Sequence, residues 1–111
     1  MTFEESAFEF EFHSEVPDPQ GALRNEAERR LSKLAAERPD MIGASVVIEQ
    51  PTEAETRYLC EARVVAYIRP ENVAATEKSD DVMSALKGAL DAVERQVREG
   101  RDRRRKPWKE T

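Results

Sequence analysis

The side chains best suited to chemistry in this sequence are the basic residues near its C-terminus. Five Arg or Lys residues stand within residues 101–106, and Trp108 lies between Lys106 and Lys109. Lys and Arg neutralise phosphates and release counterions whatever the base sequence, so such a cluster can bind RNA without a fold of its own. Trp108 can stack on an unpaired base or fold back onto an apolar patch. The predicted RNA-binding residues of this segment are Arg101, Arg103, Arg104, Arg105, Lys106 and Trp108.

The other reactive side chains are too few to build a catalytic site. His13 is the only histidine and Cys60 the only cysteine, which excludes an internal disulfide and a cysteine metal cluster. The sequence has no Gly-rich phosphate loop, no histidine-centred triad and no metal-ligand spacing. We therefore expect no enzymatic activity, no cofactor and no small-molecule substrate. His13 is predicted on a strand surface, and Cys60 as a buried, inert thiol.

The N-terminus and the apolar runs predict a soluble cytoplasmic protein. Residues 1–6 lack the basic and apolar regions of a secretory signal. The longest apolar run, residues 64–68, is far too short to span a bilayer. We expect no membrane partner, and a monomer.

Alternating apolar residues predict four strands. Phe8, Phe10 and Phe12 alternate with charged residues, which is typical of a strand with one buried face. Residues 46–48 are apolar on both faces and indicate an interior strand. The predicted strands are residues 8–13, 44–49, 57–68 and 73–78. With two helices they give an α+β protein of order β-α-β-β-β-α, in which one four-stranded sheet carries both helices on one face and leaves the other open.

Each of the two predicted helices has one apolar face and one charged face. The first takes Asp18 as N-cap and Pro19 as its first residue, and it ends before Pro39. The second takes Ser79 as N-cap, and its apolar stripe stops at Val97. The predicted core residues are Phe8, Phe10, Phe12, Leu31, Leu34, Val46, Ile48, Val64, Leu86, Leu90 and Val93.

Charge divides the chain at the end of that stripe. The formal net charge is −5, but residues 98–111 hold seven basic and three acidic residues, against eleven and twenty in residues 1–97. An acidic body with a basic end neither implies nor excludes a polyanionic partner. We predict a domain over residues 1–100 and a basic tail over residues 101–111, which has no apolar face and projects from the body.

The element order and several short segments resemble the ribosome hibernation promoting factor family, also called sigma-54 modulation or ribosome-associated inhibitor proteins. The segments are residues 22–24 with 30–34, residues 79–86 and residues 91–97. The resemblance covers roughly residues 7–105, and no single motif carries it. Because the family's long forms have a separate C-terminal dimerisation domain, the chain is similar to a short form.

This resemblance implies a β-α-β-β-β-α domain, akin to double-stranded-RNA-binding folds, that sits in the small-subunit channel for tRNA and mRNA and blocks translation. Basic residues of the two helices would meet ribosomal RNA. Those that match the family's basic positions are Arg24, Arg30, Lys33 and Arg95, and Lys87 and Arg98 lie on the same helix surfaces. The expected partner is therefore the small ribosomal subunit.

A second function class stays open at this point. The open sheet face or the basic tail could bind an acidic protein, so that the chain is a protein-interaction module, for example in transcription-factor modulation, without ribosome binding. Glu9 and Glu11 make the first strand unusually acidic, and the open face would repel phosphate.

Overall fold

The computed structural model of this chain describes residues 8–50, 60–68 and 71–105, with side chains described up to residue 99. Its elements are β1 (Glu9–Ser14), α1 (Ala22–Glu37), β2 (Met41–Glu49), β3 (Cys60–Ile68), β4 (Val73–Ser79) and α2 (Val82–Arg105). The predicted class and element order are confirmed. Residues 57–59, predicted as the start of the third strand, lie outside the described residues.

The four strands form one mixed sheet in the order β1-β2-β3-β4. β1 runs parallel to β2, whereas β2, β3 and β4 pair antiparallel. A parallel pair needs a long crossover, and α1 supplies it. The first two strands lie so close at Gly43 that a Cβ there would be 2.8 Å from the carbonyl oxygen of Glu9. Only glycine fits that position without a shift of the backbone.

Both helices pack on the same face of the sheet, as predicted. α1 covers β2, α2 covers β3 and β4, and the helices also contact each other. Alternate residues of β2 and β3 point into this layer and are buried, while their neighbours face the open side. The fully buried residues of greatest volume are Leu31, Leu34, Ile48, Leu86, Leu90, Val46, Val64, Val93 and Val97.

The phenylalanines in and just before β1 are less buried than predicted. Phe8, Phe10 and Phe12 are only partly buried and pack against the edge of the core. The reason is topological, because β1 is an edge strand with one neighbour. The rings of Phe10 and Phe12 stack at a centroid distance of 6.4 Å. The guanidinium of Arg24 covers Phe10 at 5.4 Å from the ring centroid.

The start of α1 lies later in the chain than predicted. The N-cap is Gly21, in the left-handed region at φ 72°, and Pro19 lies in the preceding turn. Glycine suits this φ because it has no Cβ. Asp18 nevertheless caps the helix, since its carboxylate accepts the backbone N–H groups of Leu23 and Arg24 at 3.0 and 3.1 Å. The predicted capping residue is thus correct in its chemistry and wrong in its position.

The predicted N-cap of α2 is wrong in position, although the Ser79 hydroxyl does accept a backbone N–H, that of Asp81, at 3.2 Å. Ser79 belongs to β4, where it pairs with Cys60. Asp81 caps the helix instead, because its Oδ2 accepts the N–H of Ser84 at 2.9 Å and the hydroxyl of Ser84 at 2.8 Å. These two hydrogen bonds to the charged carboxylate lower the pKa of Asp81.

The far end of α2 is anchored where its packing ends. Val97 is 2% exposed, and its carbonyl oxygen accepts a hydrogen bond from Nη1 of the buried Arg38 at 3.1 Å. Arg38 also holds both carboxylate oxygens of Asp40, at 3.0 and 2.8 Å. Beyond this anchor the helical backbone continues to Arg105. The predicted tail therefore begins as an extension of α2.

Candidate nucleic-acid interface

A groove of about 270 Å³ runs between α1 and α2 on the outer surface of the helix layer. Its lining contains five cationic side chains, two carboxylates and one leucine. These residues are Glu26, Arg29, Arg30, Lys33, Leu34, Lys87, Glu94 and Arg98. A concave surface with this excess of positive charge is suited to a phosphate backbone.

Helical periodicity places these side chains together. On α1 the charged residues Glu26, Arg30 and Lys33 recur at intervals of four and three, and on α2 Lys87, Glu94 and Arg98 recur at intervals of seven and four. Residues at such spacings share one side of a helix. Each helix buries its apolar face against the sheet, and Leu31 and Leu90 are fully buried there. This packing determines which side of each helix points outward and carries the charged residues.

Arg30 occupies the centre of the groove and is held by carboxylates of both helices. Its Nε and Nη2 contact the two carboxylate oxygens of Glu94 at 3.1 and 3.0 Å. Its Nη2 also donates to Asp91. On its own helix, Nη1 lies 3.9 Å from Glu26, the pairing that i, i+4 spacing favours. The hydrogen bond to Glu94 is the largest cause of a raised pKa at Arg30.

The neighbouring cations are more exposed and more loosely held. The side chain of Arg29 is 65% exposed and pairs with Glu26 at 2.8 Å, which lowers the pKa of that carboxyl chiefly through this hydrogen bond. Arg98 is 53% exposed and lies 3.5 Å from Glu37 and 3.9 Å from Glu94. Exposed pairs of this kind contribute little stability. Both side chains can therefore turn towards a phosphate at small cost.

Lys33 and Lys87 line opposite walls of the groove and are both exposed. Neither forms an ion pair within the described part of the chain. Lys87 lies near enough to Glu26 to help lower the pKa of its carboxyl. These two lysines are the cations of the groove that a phosphate could engage without displacing a described ion-pair partner.

The structure brings together four of the six predicted helix cations: Arg30, Lys33, Lys87 and Arg98. Arg24 lies apart, over Phe10 and 3.9 Å from Glu28. Arg95 is exposed on α2, about 100° around the helix axis from Glu94, and is not among the residues that line the groove.

Arg29 lines the groove but is not among the predicted site residues. Its position four residues before Lys33 is the sequence signal that identifies it. The predicted tail is described only as helical backbone at Arg101, Arg103, Arg104 and Arg105, and Lys106 and Trp108 lie outside the described residues.

The open face of the sheet has a different character. Glu9, Glu11 and His13 are exposed along β1. The centre of this face is partly apolar, and the hydroxyl of Tyr67 lies 3.1 Å from that of Ser45. The predicted exposure of His13 is confirmed.

Cys60 is buried, as predicted. Its burial, followed by the charges of Asp81 and Asp80, raises the pKa of the thiol, which disfavours the reactive thiolate. Within residues 8–50, 60–68 and 71–105, no group of three or more side chains could hold a metal ion. No helix in the described ranges is long and apolar enough to cross a membrane.

Solved structures of other proteins share this fold, among them the following two. A ribosomal subunit interface protein from Coxiella burnetii superposes with a TM-score of 0.69 at 14% identity, covering 85% of this chain and 98% of that one. The N-terminal domain of Protein Y from Thermus thermophilus gives a TM-score of 0.65 at 20% identity, covering 80% of this chain and 93% of that one. A comparison with curated proteins gave no match.

The sequence itself matches a protein family. The profile described as sigma 54 modulation protein / S30EA ribosomal protein matches residues 11–105, which include both helices and nearly all of the sheet. The resemblance predicted from element order and short segments is therefore confirmed. The chain belongs to the sigma 54 modulation protein / S30EA ribosomal protein family.

Proposed function

We propose that this protein is a ribosome-associated inhibitor of translation that binds small-subunit rRNA in the channel for tRNA and mRNA. It acts in the cytoplasm as a monomer, by occupying its site, and needs neither a cofactor nor a catalytic step. Membership of the S30EA ribosomal protein family supports an association with the ribosome. The protein of similar fold from Coxiella burnetii is named a ribosomal subunit interface protein.

The observation that carries the proposal is the groove, which is lined by five cationic side chains from two helices, four of them exposed to solvent. Lys33 on one wall and Lys87 on the other can each contact a phosphate and release its counterions. The arginines at its rim, Arg29 and Arg98, can add bidentate contacts. The helical backbone continues to Arg105, over a segment with four further arginines that can add phosphate contacts.

Binding by cations on two packed helices also explains how the protein inhibits translation without a catalytic step. Phosphate contacts fix the register and orientation of a protein on nucleic acid. Since α1 and α2 are packed on one sheet, the protein enters as one body. A folded domain held in the channel excludes tRNA and mRNA by its volume alone.

The test is co-sedimentation of the protein with purified small subunits. The variant Lys33→Glu with Lys87→Glu reverses two cations on the groove walls, and we expect it to weaken binding at least about tenfold at low salt. The matched control is Lys78→Glu, because Lys78 is an exposed lysine of β4 outside the groove. That control should bind like the wild type.

The channel is tested separately by competition. Small subunits loaded with mRNA and tRNA should bind the protein at least about fivefold more weakly than empty subunits, because the two ligands would share one space. Equal binding to loaded and empty subunits would place the protein elsewhere on the ribosome. Equal binding of wild type and the Lys33/Lys87 variant would exclude the groove.

A further inference from the structure

We infer that Arg30 is a positioning residue of the groove, which joins the two helices through Glu94 and Asp91 and does not itself contact phosphate. This inference rests on the proposed RNA binding and assigns a distinct role to one residue of that same site. It replaces the expectation from the sequence, where Arg30 is one of several RNA-binding cations.

Most of the donors of the Arg30 guanidinium are already occupied. A guanidinium recognises a phosphate with two parallel N–H groups. In Arg30, Nε and Nη2 already face the two carboxylate oxygens of Glu94, at 3.1 and 3.0 Å. Nη2 also donates to Asp91. Glu94 thus occupies the Nε–Nη2 edge, and Asp91 takes the N–H that Nη2 would contribute to the Nη1–Nη2 edge. No two parallel N–H groups of Arg30 remain free for a phosphate, and Nη1, 3.9 Å from Glu26, offers single donors only.

Arg30 is also much more buried than its neighbour Arg29. The side chain of Arg30 is 16% exposed and that of Glu94 is 20% exposed, whereas Arg29 in the same groove is 65% exposed. An ion pair removed from water is costly to break, because the partner left behind is a desolvated charge. A phosphate that took Arg30 would leave Glu94 unneutralised beside it. Arg29 can be recruited without that penalty.

Arg30 also connects the ion pairs of the two helices. Glu94 also lies 3.9 Å from Arg98, and Glu26 lies 3.9 Å from Arg30 and 2.8 Å from Arg29. Alternating charges therefore link the rim cation of α1 to the rim cation of α2 through Arg30. By neutralising Glu94 and Asp91, Arg30 also removes two charges that would repel phosphate. Arg30 therefore sets the distance between the cations that bind phosphate, and it sets the net charge of the groove around them.

The experiment measures the affinity of small subunits for the full-length protein and its variants across a salt series. The matched pair is Arg30→Gln and Arg29→Gln, because both remove one arginine from the same groove. Arg29→Gln should lower the log–log salt slope by about 0.7–0.9, the value for one lost phosphate contact. Arg30→Gln should leave the slope unchanged and weaken binding about tenfold, within the range of couplings in one ion-pair network.

A second variant separates charge from geometry. Arg30→Lys keeps the positive charge and the fold but lacks the planar fork that holds two carboxylates. We expect it to bind more weakly than the wild type, because the geometry is lost, but less weakly than Arg30→Gln, because the charge is kept, again with the wild-type slope. Wild-type affinity for Arg30→Lys, or a slope for Arg30→Gln that falls as much as that of Arg29→Gln, would overturn the inference.

These outcomes are distinct from a failure of the proposed function. If the wild-type protein does not bind small subunits at all, RNA binding by the groove is wrong, and the role given to Arg30 is wrong with it. If the wild type binds and only the Arg30 results differ from expectation, RNA binding stands and Arg30 is an ordinary contact residue.

Discussion

The groove on the helix side and the first strand on the open side present opposite charge on one small scaffold. On the helix side, five cations and two carboxylates line a groove between α1 and α2. On the open side, Glu9 and Glu11 are exposed along β1, and Tyr67 and Ser45 meet at the centre. The formal net charge of −5 averages over both. Net charge therefore says less about a polyanionic partner than the face on which each charge lies.

The cations on the helix side also differ from one another in how available they are to a phosphate. Arg30 and Arg29 are adjacent in sequence, yet Arg30 is held by carboxylates of two helices and Arg29 by one carboxylate at the surface. A count of basic residues would give Arg29 and Arg30 the same weight as potential phosphate ligands. Their ion-pair partners and exposure predict different roles.

The largest effect is expected from removing the extension of α2. A chain that ends at Glu99 keeps Val97 and Arg98 but loses the six basic residues of residues 100–111. If about three of them meet phosphates, the salt slope should fall by roughly 2–3 and affinity at low salt by at least about tenfold. The measurement is small-subunit binding by both proteins across a salt series.

Equal slopes for the full-length and shortened proteins would mean that the extension makes no phosphate contact, and the helix groove would then account for binding alone. The melting temperatures of the two proteins should agree closely, because Val97 is the last buried residue among the described side chains.

A smaller effect is expected from neutralising cations on the outer surface of α2. Arg95→Gln with Arg98→Gln should weaken small-subunit binding about three- to tenfold, since two phosphate contacts are lost. The matched change on the other face, Glu9→Gln with Glu11→Gln, should alter affinity by less than about twofold. A weakening by the glutamate pair and none by the arginine pair would mean that the open sheet face docks on the ribosome.

A third change should affect stability and leave binding intact. Phe10 is partly buried on an edge strand, so Phe10→Ala should cost about 2 kcal/mol, less than the 3–5 kcal/mol of a fully buried phenylalanine. Chemical denaturation measures this cost. Below the unfolding transition the variant should bind small subunits with wild-type affinity, and a large loss of affinity would show that β1 belongs to the interface.

The smallest effect concerns the cap of α2. The pKa of Asp81 is held below its ordinary value of 3.8 by the hydroxyl and N–H of Ser84, so its charge stabilises the folded state at neutral pH. That contribution is fully present above the unfolded pKa and is lost as pH falls through the lower folded pKa. Asp81→Asn should melt slightly lower than wild type at pH 7, and the difference should shrink as the pH falls through the lowered pKa of Asp81. A pH-independent difference would contradict this account.

Much of the fold could be predicted because it depends on local periodicity. Period-two alternation indicates which face of β2 and β3 is buried, and the 3.6-residue period does the same for Leu31 and Leu90. Whether such a position is buried follows from the pattern of apolar residues a few positions before and after it in the sequence. The element order then leaves few arrangements in which one sheet face is covered.

The errors lie where distant residues decide the outcome. The partial exposure of Phe10 follows from the edge position of β1, which is a property of the sheet. The pairing of Arg30 with Glu26 is visible as i, i+4 spacing, but its contacts with Asp91 and Glu94 join residues 61 and 64 positions apart. No local pattern indicates such contacts. The sequence therefore predicts which types of residue form the candidate site, but it does not predict which of them form ion pairs with one another.

The most direct test of the account is a site-specific photo-crosslink from each face to rRNA. A photoreactive side chain replaces Lys33 in the groove or Thr76, an exposed residue of β4 outside the groove, and each protein is irradiated with small subunits. We predict strong crosslinks to rRNA from position 33 and few from position 76, with mRNA and tRNA suppressing the former. Crosslinks mainly from position 76 would contradict the claim that the helix groove is the surface that binds RNA.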